Sequence, residues 1–290
     1  MQVHVLQSVR TNEIMSSPAE KVFDYLFCFE AYGVPILIES NSTVILSLAE
    51  ESARKALLGK LEPICADDAK HVFRFEEHNN GECSIFQDGQ LMVTDQPNAK
   101  FFRFFDSLVR ILVAEFSEKW VFIHSGVVGW KDKAILIPGD SFAGKTCLVA
   151  SLIRAGCTYF SDEYAVLDGN GSVHTFPRKL TMRNDSGTIT ETDVDPTEFG
   201  GAVSDRSARI GAVWFTKFDP GVRYFRPERQ TTGNAVVDMI KYTIPIRRNP
   251  AYAMEVLRKS LEKSLAIKCL RGDASKFVPF FLEFIDNTVI

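Results

Sequence analysis

Gly139-Asp-Ser-Phe-Ala-Gly-Lys-Thr146 is the segment of this chain whose residue types and spacing most directly specify chemistry. It has the form Gly-x-x-x-x-Gly-Lys-Thr, in which the glycines let backbone N–H groups turn inward and the helix that follows adds its positive dipole end. A phosphate chain fits such a cradle. The expected ligand is a nucleoside triphosphate, ATP with Mg²⁺, held by Gly139, Asp140, Ser141, Phe142, Ala143, Gly144, Lys145 and Thr146. Lys145 would reach the β and γ phosphates as a point charge, and the Thr146 hydroxyl would ligate Mg²⁺.

Three more side chains become interesting because of where their elements would bring them. Asp162 and Glu163 follow the short run Cys157-Thr-Tyr-Phe160, at the end of the strand after the loop's helix. A right-handed crossover returns that strand parallel to the first, so both carboxylates would face the phosphates. One could hold Mg²⁺ and the other accept a proton from an attacking hydroxyl; the competing reading is a pair of solvated strand-end acids. His124 lies in Trp120-Val-Phe-Ile-His-Ser-Gly-Val-Val128, which spells a hairpin with Ala134-Ile-Leu-Ile-Pro138 through Gly129-Trp-Lys-Asp-Lys133. A turn centred near Lys131 sets His124 across from Pro138, beside the transferring phosphate, where an imidazole can orient or share a proton with Asp162. The alternative is a satisfied buried histidine.

These residues need a strand before the loop and a helix after it, and the sequence supplies both. Ala134 to Pro138 reads as the strand; Lys145 to Ala155 reads as a helix with Leu148, Val149, Leu152 and Ile153 on one face and Gly156 past its end. Beyond it, hairpins are expected for Tyr164–Leu167 with Val173–Phe176 and for Gly211–Phe218 with Val222–Phe225, then helices near 230–242, 250–264 and 274–286. The carboxy-terminal two thirds is therefore α/β.

Residues 1–97 read as a smaller α+β domain of unknown role, with a strand at Val44–Leu48, a helix from Ala49 to Leu61, and a hairpin in which His71–Phe75 and Cys83–Phe86 flank His78-Asn-Asn-Gly81. A domain boundary is set at Gln96-Pro97, where Asn98 can cap a helix carrying Phe101, Phe102, Phe105, Leu108, Val109, Leu112, Val113 and Phe116. That apolar stripe is expected to lie buried on its own sheet. The second domain then runs from 98 to 290.

Bulk properties narrow the function classes. A hydrophobic fraction of 46% and a charged fraction of 24% are those of a folded globular chain, and a net charge of -4 gives no general attraction to nucleic acid or to an anionic membrane. No segment is apolar over the length of a bilayer span, so no membrane partner is expected and the reading is cytoplasmic. The six cysteines have no Cys-x-x-Cys pair and no histidine at ligand spacing, which predicts buried thiols rather than a zinc site or a disulfide framework.

Taken in order, these motifs resemble the catalytic domain of the bacterial HPr kinase/phosphorylase family. His124-Ser-Gly-Val-Val is similar to the family's histidine-glycine strand, Gly139 to Thr146 to its phosphate loop, Gly156-Cys-Thr-Tyr-Phe-Ser-Asp-Glu163 to its strand ending in an aspartate pair, and Ile244-Pro-Ile-Arg-Arg-Asn249 to its proline-arginine-asparagine segment. The resemblance covers roughly 118–250 and is that of a divergent relative, with Glu163 in place of the second aspartate, Phe142 in place of a small loop residue, and an unmatched first hundred residues. It implies the P-loop kinase fold shared with phosphoenolpyruvate carboxykinases, with Asp162 as base toward a serine hydroxyl, His124 as the active-site histidine, Glu163 assisting the metal, and Arg247 near substrate or phosphates. Phe176-Pro-Arg-Lys-Leu-Thr-Met-Arg183 resembles a segment of divergent relatives, with Arg178 and Arg183 as candidate anion contacts and ordinary surface charge as the competing reading. The implied activity is an ATP-dependent serine kinase acting on a peptide or small protein, in a possible homo-oligomer. Two other functions compete: a nucleotide-responsive binding module without phosphoryl transfer, and a small-metabolite kinase.

Overall fold

The computed structural model describes residues 23–140, 143–184 and 190–289. Ser141 and Phe142, expected in the nucleotide site, lie outside the described residues. The described residues are mixed α/β, with two large sheets, a small ribbon and six α-helices.

The first sheet is built from β1 (Tyr25–Ala31), β2 (Val34–Ser40), β3 (Glu62–Pro63), β4 (His71–Glu77), β5 (Cys83–Gln87) and β6 (Gln90–Asp95), in the order β3-β1-β2-β4-β5-β6. Helix α1 (Thr43–Ala56) starts at Ser42, whose hydroxyl accepts from the Ile45 N–H. The strand expected at Val44–Leu48 is in fact the first turns of this helix. Its buried residues Ile45, Ala49, Ser52, Ala53 and Ala56 recur at helical spacing, and that longer period overrides the local aliphatic run. Helix α2 (Ala99–Phe116) is capped by Asn98, which accepts from the N–H groups of Lys100 and Phe101. Its stripe covers the first sheet: Phe105 meets Phe73 edge-on at 5.1 Å and Phe75 at 4.8 Å. The helix that follows residue 97 thus shares a core with the strands before it.

The second sheet contains β7 (Val121–Trp130), β8 (Lys133–Pro138), β9 (Thr158–Ser161), β10 (Tyr164–Leu167), β11 (Ser172–His174), β14 (Ala208–Phe218), β15 (Glu228–Gln230) and β16 (Leu265–Arg271), and β12 (Leu180–Asn184) pairs with β13 (Thr190–Val194) as a separate ribbon. Its order is β11-β10-β7-β8-β14-β16-β15, with β9 also paired to β7. Strands β8, β14 and β16 run parallel, so Pro138, Phe218 and Arg271 all end on one edge of the sheet. The hairpin expected between Gly211–Phe218 and Val222–Phe225 does not form. β14 is a central strand buried on both faces, a position that takes parallel neighbours, and residues 222–225 fold as loop over its end.

Helices cover both faces. Leu148, Val149, Leu152 and Ile153 of α3 (Lys145–Arg154) and Phe277, Val278 and Phe281 of α6 (Ala274–Val289) meet Ile135, Ile137 and Trp214 on one face. α4 (Thr232–Ile240) and α5 (Pro250–Leu261) cover Leu136, Val213 and Phe215 on the other. Adjacent residues of β8 and β14 thus point to opposite layers, as the strand period requires. No helix among the described residues is long and apolar enough to cross a membrane.

Candidate functional site

The loop between β8 and α3 stands at the edge where parallel strands end, the position at which open α/β sheets bind ligands. Gly144 caps α3 with φ +79°, in the left-handed region, and a Cβ there would lie 2.7 Å from the Arg271 Nη2. Glycine is therefore favoured by conformation, and a Cβ would also displace the guanidinium that donates to the Gly144 carbonyl.

Lys145 opens α3 and is only 9% exposed. Its ammonium donates to the Gly139 carbonyl at 2.7 Å, to the Asp140 carbonyl at 2.9 Å and to His124 Nε2 at 3.3 Å. For that third bond the imidazole must be an acceptor, hence neutral, and burial followed by the Lys145 charge does lower the His124 pKa. His124 therefore orients Lys145; among the described residues it makes no hydrogen bond to Asp162. The hairpin turn is Lys131-Asp132, with Lys131 at φ +55°, so Ser125 rather than His124 pairs with Pro138. The one-residue difference puts His124 level with Gly139, which is how it reaches the lysine.

Strands β9 and β10 both pair with β7, interrupted by Asp162 and Glu163. β9 runs in the direction of β8, as expected of the crossover, but β7 lies between them. The interruption is built locally: the Ser161 hydroxyl accepts from the N–H groups of Glu163 at 3.2 Å and Tyr164 at 3.0 Å, and the Ser125 N–H donates to the Glu163 carbonyl at 3.1 Å. Gly126, opposite, leaves room for α3, since a Cβ there would sit 2.6 Å from Val149 Cγ2. Asp162 is thereby carried against the start of α3. Its Oδ1 is enclosed with no hydrogen-bond partner among the described residues, and the Thr146 side chain stands beside the carboxylate. Burial dominates over Thr146 and the Lys145 charge, pushing the Asp162 pKa up to about 7.

Glu163 has a different environment from its neighbour. Arg110 Nε of α2 donates to its Oε1 at 3.1 Å, and Arg178 Nε approaches its Oε2 at 3.5 Å. Arg178 also forms a two-pronged pair with Asp106 of α2, at 3.1 and 3.2 Å, and Asp106 pairs with Arg110. Arg178, expected at an anion, thus serves this internal network, and Glu163, expected at the metal, has both oxygens facing guanidinium groups. Arg247 ends the short 3₁₀ turn Ile244–Arg247, is exposed, and forms no ion pair among the described residues. The segment holding it does reach the site, since the Tyr242 carbonyl accepts from the His124 N–H at 2.8 Å.

A Mg²⁺ ion riding on phosphates needs one or two protein ligands. The Thr146 hydroxyl is such a ligand, with the orphaned, enclosed Asp162 Oδ1 beside it; Glu163 does not fit the role. Among the described residues no three His, Cys, Asp or Glu side chains gather into a metal cluster.

On the other flank of the loop lies a cavity of about 890 Å³, lined by Gly139, Asp140 and Ala143, by the ends of β14 and β16, and by residues 221–226. Lys217, Arg223 and Arg226 face it, as do Tyr224 and Tyr242, and the enclosed Thr216 Oγ1 on its wall has no partner among the described residues. Its volume is that of a small-molecule site. Sequence reasoning missed this flank, and it missed Arg271, which is 2% exposed and donates to the Gly144 carbonyl at 2.8 Å. It also missed Asp106 and Arg110. A signal for that pair was present: an acid and an arginine four residues apart beside the apolar stripe of α2, where a solvated pair would not be placed.

No family model matches this chain, and no curated protein is detectably similar to it.

Proposed function

We propose that the protein is an ATP-dependent kinase that transfers the γ-phosphate to a hydroxyl, a serine of a peptide or small protein, on a P-loop core of the HPr kinase type. The observation that carries this reading is the enclosed, unpartnered Asp162 Oδ1 beside Lys145 and Thr146 at the start of α3. A carboxylate with a pKa raised to about 7 is matched to general-base work near neutrality.

In this reading the triphosphate lies on the N–H groups of the loop and the N-terminus of α3, and the nucleoside occupies the cavity between β14, β16 and residues 221–226. Mg²⁺, held by the Thr146 hydroxyl, would supply charge neutralisation at the phosphates and leave the Asp162 carboxylate to act as the base. Asp162 accepts the proton of the acceptor hydroxyl, the oxygen bonds to the γ-phosphorus, and the bond from that phosphorus to the bridging oxygen breaks to release ADP. Lys145 moves from the Gly139 and Asp140 carbonyls to the phosphates, with neutral His124 still accepting one of its hydrogens. Phosphoryl transfer asks for little more than this positioning and charge balance.

The test is label transfer from [γ-³²P]ATP with Mg²⁺ to a library of serine-containing peptides. Transfer by the wild type and its loss in Asp162→Asn, with ATP binding retained, is the expected result. If both proteins bind ATP and neither labels an acceptor, the protein is no kinase. A nucleotide-responsive binding module is the second reading, favoured by the engagement of Glu163 with two arginines, which leaves one carboxylate at the phosphates. It predicts that partner binding depends on Lys145 and is indifferent to Asp162→Asn.

A further inference from the structure

The segment 99–116 precedes every motif of the phosphate site, yet it sends two charged side chains to it. Arg110, side chain 8% exposed, and Asp106, 12% exposed, are one helical turn apart on α2. Arg110 Nε and Nη2 both stand 3.1 Å from the Glu163 Oε1. Arg178 closes the ring, with one edge on Asp106 and its Nε on Glu163, and it donates through Nη1 to the Ala56 carbonyl at the end of α1, 3.3 Å away. Two arginines and two carboxylates leave the ring without net charge. Each member is held by at least two others.

Such a ring is poor ballast for stability, because removing ions from water costs about as much as their attraction returns. What it supplies is geometry. A planar guanidinium fork fixes a carboxylate in direction as well as distance. Glu163 is the residue after Asp162, in a two-residue interruption between β9 and β10 anchored otherwise by the Ser161 hydroxyl and the Ser125 N–H. Fixing the Glu163 side chain therefore removes the main remaining freedom of the Asp162 backbone. Four buried phenylalanine and isoleucine side chains of the first sheet, Phe73, Phe75, Ile36 and Ile38, belong to the same core cluster as Phe101 and Phe105 of α2, so the orientation of Arg110 is set by the amino-terminal sheet.

The geometry points to Arg110, backed by Asp106, as a positioning residue that acts through Glu163 to hold Asp162 at the phosphates, making the amino-terminal sheet and α2 a working part of the transfer site. This rests on the kinase reading above. It assigns the first sheet and α2 a role that no phosphate motif would reveal: they aim the base. Arg110 itself touches neither nucleotide nor acceptor.

The experiment uses the full chain, [γ-³²P]ATP, Mg²⁺ and the same serine peptide library, with Arg110→Gln, Arg110→Lys, Glu163→Gln and the double variant Arg110→Gln/Glu163→Gln. Arg110→Gln and Glu163→Gln are each expected to lower kcat at least tenfold with KM for ATP within about twofold of wild type. The double variant is expected to be no worse than the weaker single one, since both break one link. Arg110→Lys should keep the fold and recover part of the lost kcat, and it stands in for the glutamine variant if that fails to fold. Wild-type kcat in Glu163→Gln, multiplied losses in the double variant, or a loss confined to KM for ATP would each overturn the proposal. Failure of the kinase reading has its own signature, no transfer by a wild type that binds ATP or unchanged transfer in Asp162→Asn, and is scored separately.

Discussion

The two flanks of the Gly139–Thr146 loop are built on opposite plans. Toward β7 and β9, polar groups are crowded and enclosed: Lys145 has three partners, Asp162 has an orphaned oxygen, and Glu163 is ringed by arginines. Toward β14 and β16 there is open volume, with Lys217, Arg223, Arg226 and the 71%-exposed Tyr224 around it. Enclosure shifts proton affinities and makes each displacement costly; openness admits a ligand and tolerates its shape. Under the proposed kinase reading, the contrast assigns chemistry to the enclosed flank and recognition to the open one.

Substitutions should divide along the same line. The largest effect is expected from Lys145→Ala, which belongs to the loop itself: ATP affinity should fall by roughly a hundredfold, on the order of 2–3 kcal/mol for a charge-assisted contact, and transfer should be lost. Calorimetric titration of ATP checks the first and label transfer the second. Retained affinity would mean that the loop is not the phosphate cradle.

Asp162→Asn belongs to the enclosed flank alone. Because the folded-state pKa is raised from 3.8 to about 7, the ionised form is disfavoured by folding, and the wild type loses stability as pH rises through that window, levelling above it. The asparagine variant should therefore gain stability over wild type by an amount that grows between about pH 4 and 7, reaching on the order of 2–4 kcal/mol at pH 8 in urea unfolding. Wild-type transfer should rise about tenfold per pH unit below 7 and flatten above it, since the base must be ionised. A pH-independent rate across that range would remove Asp162 from the proton-transfer step.

Gly144→Ala lies where the flanks meet. Positive φ and the 2.7 Å approach to Arg271 predict a loss of roughly 1–3 kcal/mol, read by denaturant unfolding, with weaker ATP binding. The smallest effect belongs to the open flank: Tyr224→Ala should weaken ATP roughly fivefold, about 1 kcal/mol, and leave saturated transfer unchanged. A fall in kcat there would break the division of labour.

The enclosed flank was the legible one. Gly139 to Thr146, Asp162 and His124 announce themselves because phosphate chemistry restricts residue types at fixed short spacings, and the strand-loop-helix order around them follows from hydrophobic period. The open flank is assembled from Gly139, Asp140 and Ala143 and from residues of β14, the loop after it, α4 and β16, which only the parallel pairing of β8, β14 and β16 brings together. No local pattern encodes that. Gly211–Phe218 looked like a hairpin arm because Asp219-Pro-Gly221 is a good turn, and tertiary pairing overrode the turn signal. Val44–Leu48 looked like a strand for the same reason: its neighbours in sequence were read, and its neighbours in space were α2 and the first sheet. The Asp106–Arg110–Glu163–Arg178 ring spans the same kind of distance, and only its i, i+4 half was visible in the sequence.

A crystal structure of the full chain with a non-hydrolysable ATP analogue and Mg²⁺ tests the two-flank account most directly. The account predicts the base and ribose in the cavity beside Tyr224 and Thr216, the triphosphate on the loop, and the γ-phosphate turned toward Asp162 with Lys145 withdrawn from the Gly139 and Asp140 carbonyls. A nucleoside on the β7 and β9 flank, or a γ-phosphate directed away from Asp162, would contradict it.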